Sequence, residues 1–138
     1  MATRIFSLHI GVSKVDTNHY GDALTNLPCC KVDAEYMFRM GKLFDYDHQE
    51  LLINENATVD NVKNTLLEFS QQLKKDDLCV ITYSGHGGTL PDLNNSKFDP
   101  ELEDQTWCLY DRQLVDDELP YIWKEFDPGV NIFVLLDS

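Results

Sequence analysis

The chain has 138 residues, 43% of them hydrophobic and 11% aromatic, which is enough apolar material for one folded domain with a buried core. Its 24 acidic residues against 11 basic ones give a formal net charge of -13, which excludes the basic footprint of a nucleic-acid binder and argues against an anionic membrane surface. The same balance suits a cationic ligand, a basic peptide or a divalent metal, and it equally suits a plain solvated surface.

Met1-Ala2-Thr3-Arg4 runs directly into a strand, Ile5 to Val12, with no signal peptide or membrane-spanning stretch. Val15 to Cys29 is polar, holds Gly21 and Pro28, and reads as a loop. Lys31 to Phe44 places Val32, Ala34, Met37, Phe38, Leu43 and Phe44 at helical spacing. Glu50 to Ile53 is a short strand. Thr58 is an N-cap for a helix reaching about Lys74, with Val62, Leu66, Phe69 and Leu73 on one face. Leu78 to Tyr83 is a strand, and Thr89 to Glu103 is a breaker-rich loop. Thr106 to Tyr110 is a short strand. Asp116 or Asp117 caps a helix from Glu118 to Phe126, and Pro128-Gly129 turns the chain into a last strand, Asn131 to Leu136. Strands alternating with helices predict an α/β fold, a three-layer α/β/α sandwich on a mostly parallel sheet, spanning residues 1-138 as one domain. None of the four cysteines, Cys29, Cys30, Cys79 and Cys108, falls in CxxC spacing, and the expected setting is reducing and cytoplasmic.

Two strand ends carry chemistry. The first runs Val80-Ile81-Thr82-Tyr83-Ser84-Gly85-His86-Gly87-Gly88, and the second Asn131-Ile132-Phe133-Val134-Leu135-Leu136-Asp137-Ser138. Ligands and catalytic groups gather at the carboxyl ends of parallel strands. An imidazole between glycines has little steric cover and titrates near neutrality, so His86 can take and return a proton. The plainer reading is a histidine in a turn making local hydrogen bonds. Asp137 likewise has a plainer reading as a helix cap after the strand.

Tyr83-Ser84-Gly85-His86-Gly87-Gly88 resembles the histidine motif of the caspase-like cysteine peptidases, in the metacaspase and bacterial caspase-homologue branch. Val134-Leu135-Leu136-Asp137-Ser138 resembles the start of that family's Asp-Ser-Cys-His-Ser-Gly motif, with the nucleophilic cysteine expected immediately after Ser138. The resemblance implies a caspase-like sandwich and a chain corresponding to the large-subunit portion, inactive alone. Its partner would be its own C-terminal, small-subunit portion. It implies that His86 is the acid/base partner of the cysteine and that the Gly87 N–H stabilises the oxyanion.

Cys30-Lys31-Val32-Asp33-Ala34 resembles the family's Gly-Cys-x-x-Asp-Ala segment, with Cys29 where glycine is usual. With Ser84 and Asp137 this fills the four positions of the acidic primary-specificity pocket: Cys30, Asp33, Ser84 and Asp137. Two carboxylates favour an Arg or Lys side chain, so the expected substrate is a protein or peptide cleaved after a basic residue. The chemistry itself requires no cofactor.

A further acidic group comprises Glu101, Glu103, Asp104, Asp111, Asp116 and Asp117. A solvated acidic face is the default, while hard oxygen ligands in a loop also suit calcium. Asp104-Gln105-Thr106-Trp107-Cys108-Leu109-Tyr110-Asp111 and Asp116-Asp117-Glu118 are similar to metacaspase segments that bind the ion in some members, although Trp107-Cys108-Leu109 departs from their pattern. The resemblance thus implies Asp104, Asp116 and Asp117 as calcium ligands. Two further classes remain open from the residues: a catalytically inactive homologue acting as a scaffold or regulatory binding domain, and a flavodoxin-like binding domain. The latter lacks a Gly-rich phosphate loop after the first strand.

Overall fold

The structure, a computed structural model, describes residues 2–91 and 103–138. Its centre is a parallel sheet of four strands: β1 (Ile5–Gly11), β2 (His48–Ile53), β3 (Leu78–Ser84) and β7 (Asn131–Asp137), in the order β2-β1-β3-β7. The helices are α1 (Thr17–Tyr20), α2 (Pro28–Leu43), α3 (Val59–Gln72) and α4 (Leu119–Trp123). Side chains alternate across a strand. His9 accordingly meets Phe38 of α2 on one face of β1, while Phe6 meets Phe69 of α3 on the other. Helices therefore cover both faces, and the sandwich expected from the sequence is the one observed.

The two faces are built differently. Under α3 the core is apolar, with Leu8, Ile10, Cys79, Ile81 and Tyr83 of the sheet against Val62, Leu66, Phe69 and Leu73. Thr58 caps that helix as expected, its hydroxyl accepting the Asn61 N–H at 3.2 Å, and Asp111 accepts the Val59 N–H at 2.9 Å. Under α2 the sheet is polar. Buried His9 bridges the hydroxyls of Thr82 and Ser7 at 2.8 and 2.9 Å, and burial lowers its pKa, so it stays neutral there. At the base of the sheet, Asp77 accepts the N–H groups of Lys74 and Arg4 and the Arg4 guanidinium, which hold its carboxyl near a pKa of about 2.

α2 departs from the expected helix in two ways. It starts at Pro28, earlier than Lys31, because proline suits the first turn. It also buries small residues, Cys30, Ala34 and Gly41, while Val32, Leu43 and Phe44 face outward. The close approach explains this choice. A Cβ on Gly11 would lie 2.6 Å from the Cys30 carbonyl oxygen and 2.8 Å from Ala34 Cβ. Gly11→Ala is expected to destabilise the fold by about 1–3 kcal/mol, as overpacking does. Chemical denaturation measures this, and an unchanged midpoint would contradict the contact.

The expected loops hold more structure than their composition showed. α1 lies within Val15 to Cys29, and β4 (Gly87–Pro91) opens the expected loop from Thr89. β4 pairs with β5 (Glu103–Cys108), which pairs with β6 (Gln113–Val115), forming a second, antiparallel sheet. The expected helix from Glu118 to Phe126 is a 3-10 turn, Asp116–Glu118, followed by the shorter α4. The Glu118 carboxylate, rather than Asp116 or Asp117, caps the turn by accepting the Val115 N–H at 3.0 Å. No helix among the described residues is long and apolar enough to cross a membrane.

Candidate active site

The order β2-β1-β3-β7 reverses direction between β1 and β3, and an open α/β sheet forms its crevice at such a point. Ser84 ends β3 and stands in register with Gly11 of β1 and Asp137 of β7. The first turns of α2, packed close over Gly11, bring Cys30 and Asp33 to the same edge. The Ser84 hydroxyl donates to Asp33 Oδ2 at 2.9 Å. Asp33, Ser84 and Asp137 line a cavity of about 250 Å³ that continues past Tyr36, Met37 and Leu135. Cys30 stands behind this wall. It is only 4% exposed, burial raises its pKa, and it shares a hydrogen bond with Ser84. Three of the four expected pocket residues thus line the cavity, and the fourth supports them.

His86 follows two residues after Ser84, between β3 and β4. Its Nε2 lies 2.6 Å from the Thr25 carbonyl oxygen. A carbonyl only accepts, so Nε2 carries a proton, which leaves Nδ1 as the nitrogen that can exchange one. Cys108 N–H donates to the His86 carbonyl at 3.0 Å, and Gly87 is paired opposite Trp107. Bonded and non-bonded pairs alternate along an antiparallel ladder, so the Gly87 N–H is directed away from β5. A Cβ on Gly87 would lie 3.1 Å from Ser138 Oγ, which puts the end of the β7 segment directly beside this glycine.

Three of the four cysteines are buried. Burial raises the pKa of Cys30 and Cys108, and pushes Cys79 up to about 12. Cys29 is exposed, and none of the four is in a disulfide.

Glu101 lies outside the described residues. Of the remaining acidic group, Asp111 is engaged with α3. Asp104 of β5 converges with Asp116 and Asp117 of the 3-10 turn, one carboxylate oxygen from each lying within 4.8 Å of the others. Glu118 fixes that turn. Its partial burial opposes ionisation, but hydrogen bonds from Arg112, Lys63 and the Val115 N–H hold its pKa down to about 2. The Asp116 Oδ1 atom is enclosed and has no hydrogen-bond partner among the described residues. A buried carboxylate oxygen without a donor is costly. A hard divalent cation held by three carboxylates would relieve it, so the donor set fits calcium.

Two contributors escaped the sequence reading. The Thr25 carbonyl is a backbone group in a loop and leaves no residue-type signal. Tyr83 does carry a signal, since a tyrosine inside an apolar strand must find a partner for its hydroxyl. Its hydroxyl reaches the His86 carbonyl at 2.6 Å.

An imidazole and an acidic cavity thus share the carboxyl edge of the parallel sheet of an α/β/α sandwich, the edge where such folds form their ligand crevices. Residues 15–130 match the caspase domain, peptidase C14, and the chain belongs to this family of cysteine peptidases. It is 30% identical to metacaspase-1 of Kluyveromyces lactis over 90% of this chain and 31% of that protein. It is 32% identical to metacaspase-1B of Aspergillus terreus over 67% of this chain and 28% of that protein. Its fold matches a crystal structure of a Geobacter sulfurreducens protein with a TM-score of 0.87 and 35% identity, covering 98% of this chain and 50% of that one. The chain therefore spans about a third of the length of the curated relatives it matches.

Proposed function

We propose that this chain is the large-subunit portion of a caspase-like cysteine endopeptidase that cleaves proteins after arginine or lysine in the cytoplasm. The observation that carries the reading is the cavity of Asp33, Ser84 and Asp137 opening at the strand ends that also deliver His86 and Gly87. A guanidinium entering this cavity would meet two carboxylates, one already oriented by the Ser84 hydroxyl. The nucleophile is a cysteine immediately after Ser138, beside Gly87. His86, tied through Nε2 to Thr25, accepts the thiol proton and returns it to the leaving amine as the thioester forms. Water then hydrolyses the thioester. The Gly87 N–H, directed away from β5, donates to the oxyanion.

The C-terminal portion would pair with the outer edge of β7, where Phe133, Leu135 and Leu136 are about half exposed. Calcium, held by Asp104, Asp116 and Asp117, would neutralise the charge of these carboxylates and brace β5 against the 3-10 turn.

The test is hydrolysis of peptides with Arg, Lys, Asp or Ala at the cleavage position by the full-length protein, with calcium and with a chelator. Release after Arg and Lys only, raised by calcium and lost with Asp116→Asn, is the expected result. Cleavage after Asp would refute the acidic pocket. No cleavage at all by protein shown by peptide mapping to carry the cysteine would leave a scaffold.

A further inference from the structure

We propose that Tyr83 is a positioning residue for the oxyanion donor, its buried hydroxyl holding the peptide unit between His86 and Gly87 so that the Gly87 N–H faces the cleft. The proposal rests on the cysteine peptidase reading above and gives Tyr83, which also lines the acidic cavity, a role of its own.

The argument begins with the peptide plane. The His86 carbonyl and the Gly87 N–H belong to one planar trans unit and point in opposite directions. Whatever grips the carbonyl from behind therefore aims the N–H in front. Two donors grip it: the Tyr83 hydroxyl at 2.6 Å and the Cys108 N–H at 3.0 Å. Glycine on one side of a peptide lowers the barrier to rotating that unit as a whole, because no Cβ opposes the new angles. Gly87 is such a residue, so the hold on the carbonyl is what selects the orientation.

Tyr83 is built for this hold. It is 1% exposed, and its ring stacks on Trp107 with centroids 5.4 Å apart and planes 19° from parallel. Burial raises its pKa, so the phenol remains a neutral donor. The Cys108 carbonyl, 3.1 Å from the hydroxyl oxygen, is its second neighbour. Gly85 is cleared for the ring: a Cβ there would lie 2.5 Å from the hydroxyl oxygen and 2.8 Å from Cζ. The hydroxyl of β3 thus holds the histidine loop from behind, on the side where the Cys108 N–H of β5 donates to the same carbonyl.

The experiment compares Tyr83→Phe with wild type in the full-length protein. An arginine peptide reports kcat and KM. An arginine aldehyde, to which the nucleophile adds to give a tetrahedral adduct, reports the oxyanion environment. We expect kcat and aldehyde affinity to fall together by about tenfold, since the Cys108 N–H remains, whereas KM stays within about twofold because Asp33, Ser84 and Asp137 of the cavity are all retained. Gly85→Ala, which displaces the same hydroxyl, should give the same pattern. A purely structural role would lower the melting temperature and leave both readouts unchanged well below it. Wild-type kcat and aldehyde affinity in both variants, or a loss confined to KM, would overturn the proposal. Full activity of His86→Ala would instead overturn the Cys–His reading, so the two failures are distinguishable.

Discussion

His86→Ala in the full-length protein is expected to lower kcat/KM for an arginine peptide by about 10³-fold, the usual scale for losing a positioned general acid and base. The Thr25 carbonyl occupies the Nε2 proton, so the ring presents only Nδ1 to the reaction. A substituted side chain that forms the Thr25 hydrogen bond without a titratable nitrogen, as in His86→Gln, should recover the fold and not the rate. Stopped assays with titrated active sites measure the effect. A loss below about tenfold would mean that another group moves the proton.

Asp33→Asn should lower kcat/KM for arginine and lysine peptides by about 10²-fold while leaving hydrolysis after uncharged residues nearly unchanged. Charge-assisted hydrogen bonds of this kind contribute about 1.5–3 kcal/mol, and removing one partner leaves the substrate cation facing an amide. The Ser84 hydroxyl already donates to Asp33 Oδ2. In the variant it would keep the amide oxygen and turn the amide N–H₂ toward the incoming guanidinium. Selectivity between arginine and alanine peptides is therefore the decisive readout. An equal loss for both would show that Asp33 acts through folding rather than recognition.

The main sheet and the helix over Val59–Gln72 were legible in the sequence because their signals are local. Strands of six or seven residues alternate with a helix whose Val62, Leu66, Phe69 and Leu73 repeat at the helical period, and each of these four is buried. The start of α2 and the direction of Val32, Leu43 and Phe44 were not legible, because they follow from the close approach of that helix to Gly11. β4 was hidden for a similar reason. Gly87-Gly88-Thr89-Leu90-Pro91 has breaker composition, and its pairing with β5 is a tertiary contact rather than a propensity.

The same division runs through the candidate site. Residue types along the chain show which chemistry is present: an imidazole between glycines, carboxylates at Asp33 and Asp137, and an acidic run around Asp116. These are matters of residue type and position along the chain. Which of them meet is a matter of packing and register. Strand register brings Ser84 beside Asp137, helix packing on Gly11 brings in Asp33, and the turn fixed by Glu118 gathers Asp116 with Asp104 while Asp111 goes to α3. The Thr25 carbonyl and the Tyr83 hydroxyl show the physical reason. Hydrogen bonds that orient a catalytic ring or a peptide plane are made between segments far apart in the chain or by backbone atoms every residue shares, so no local pattern announces them.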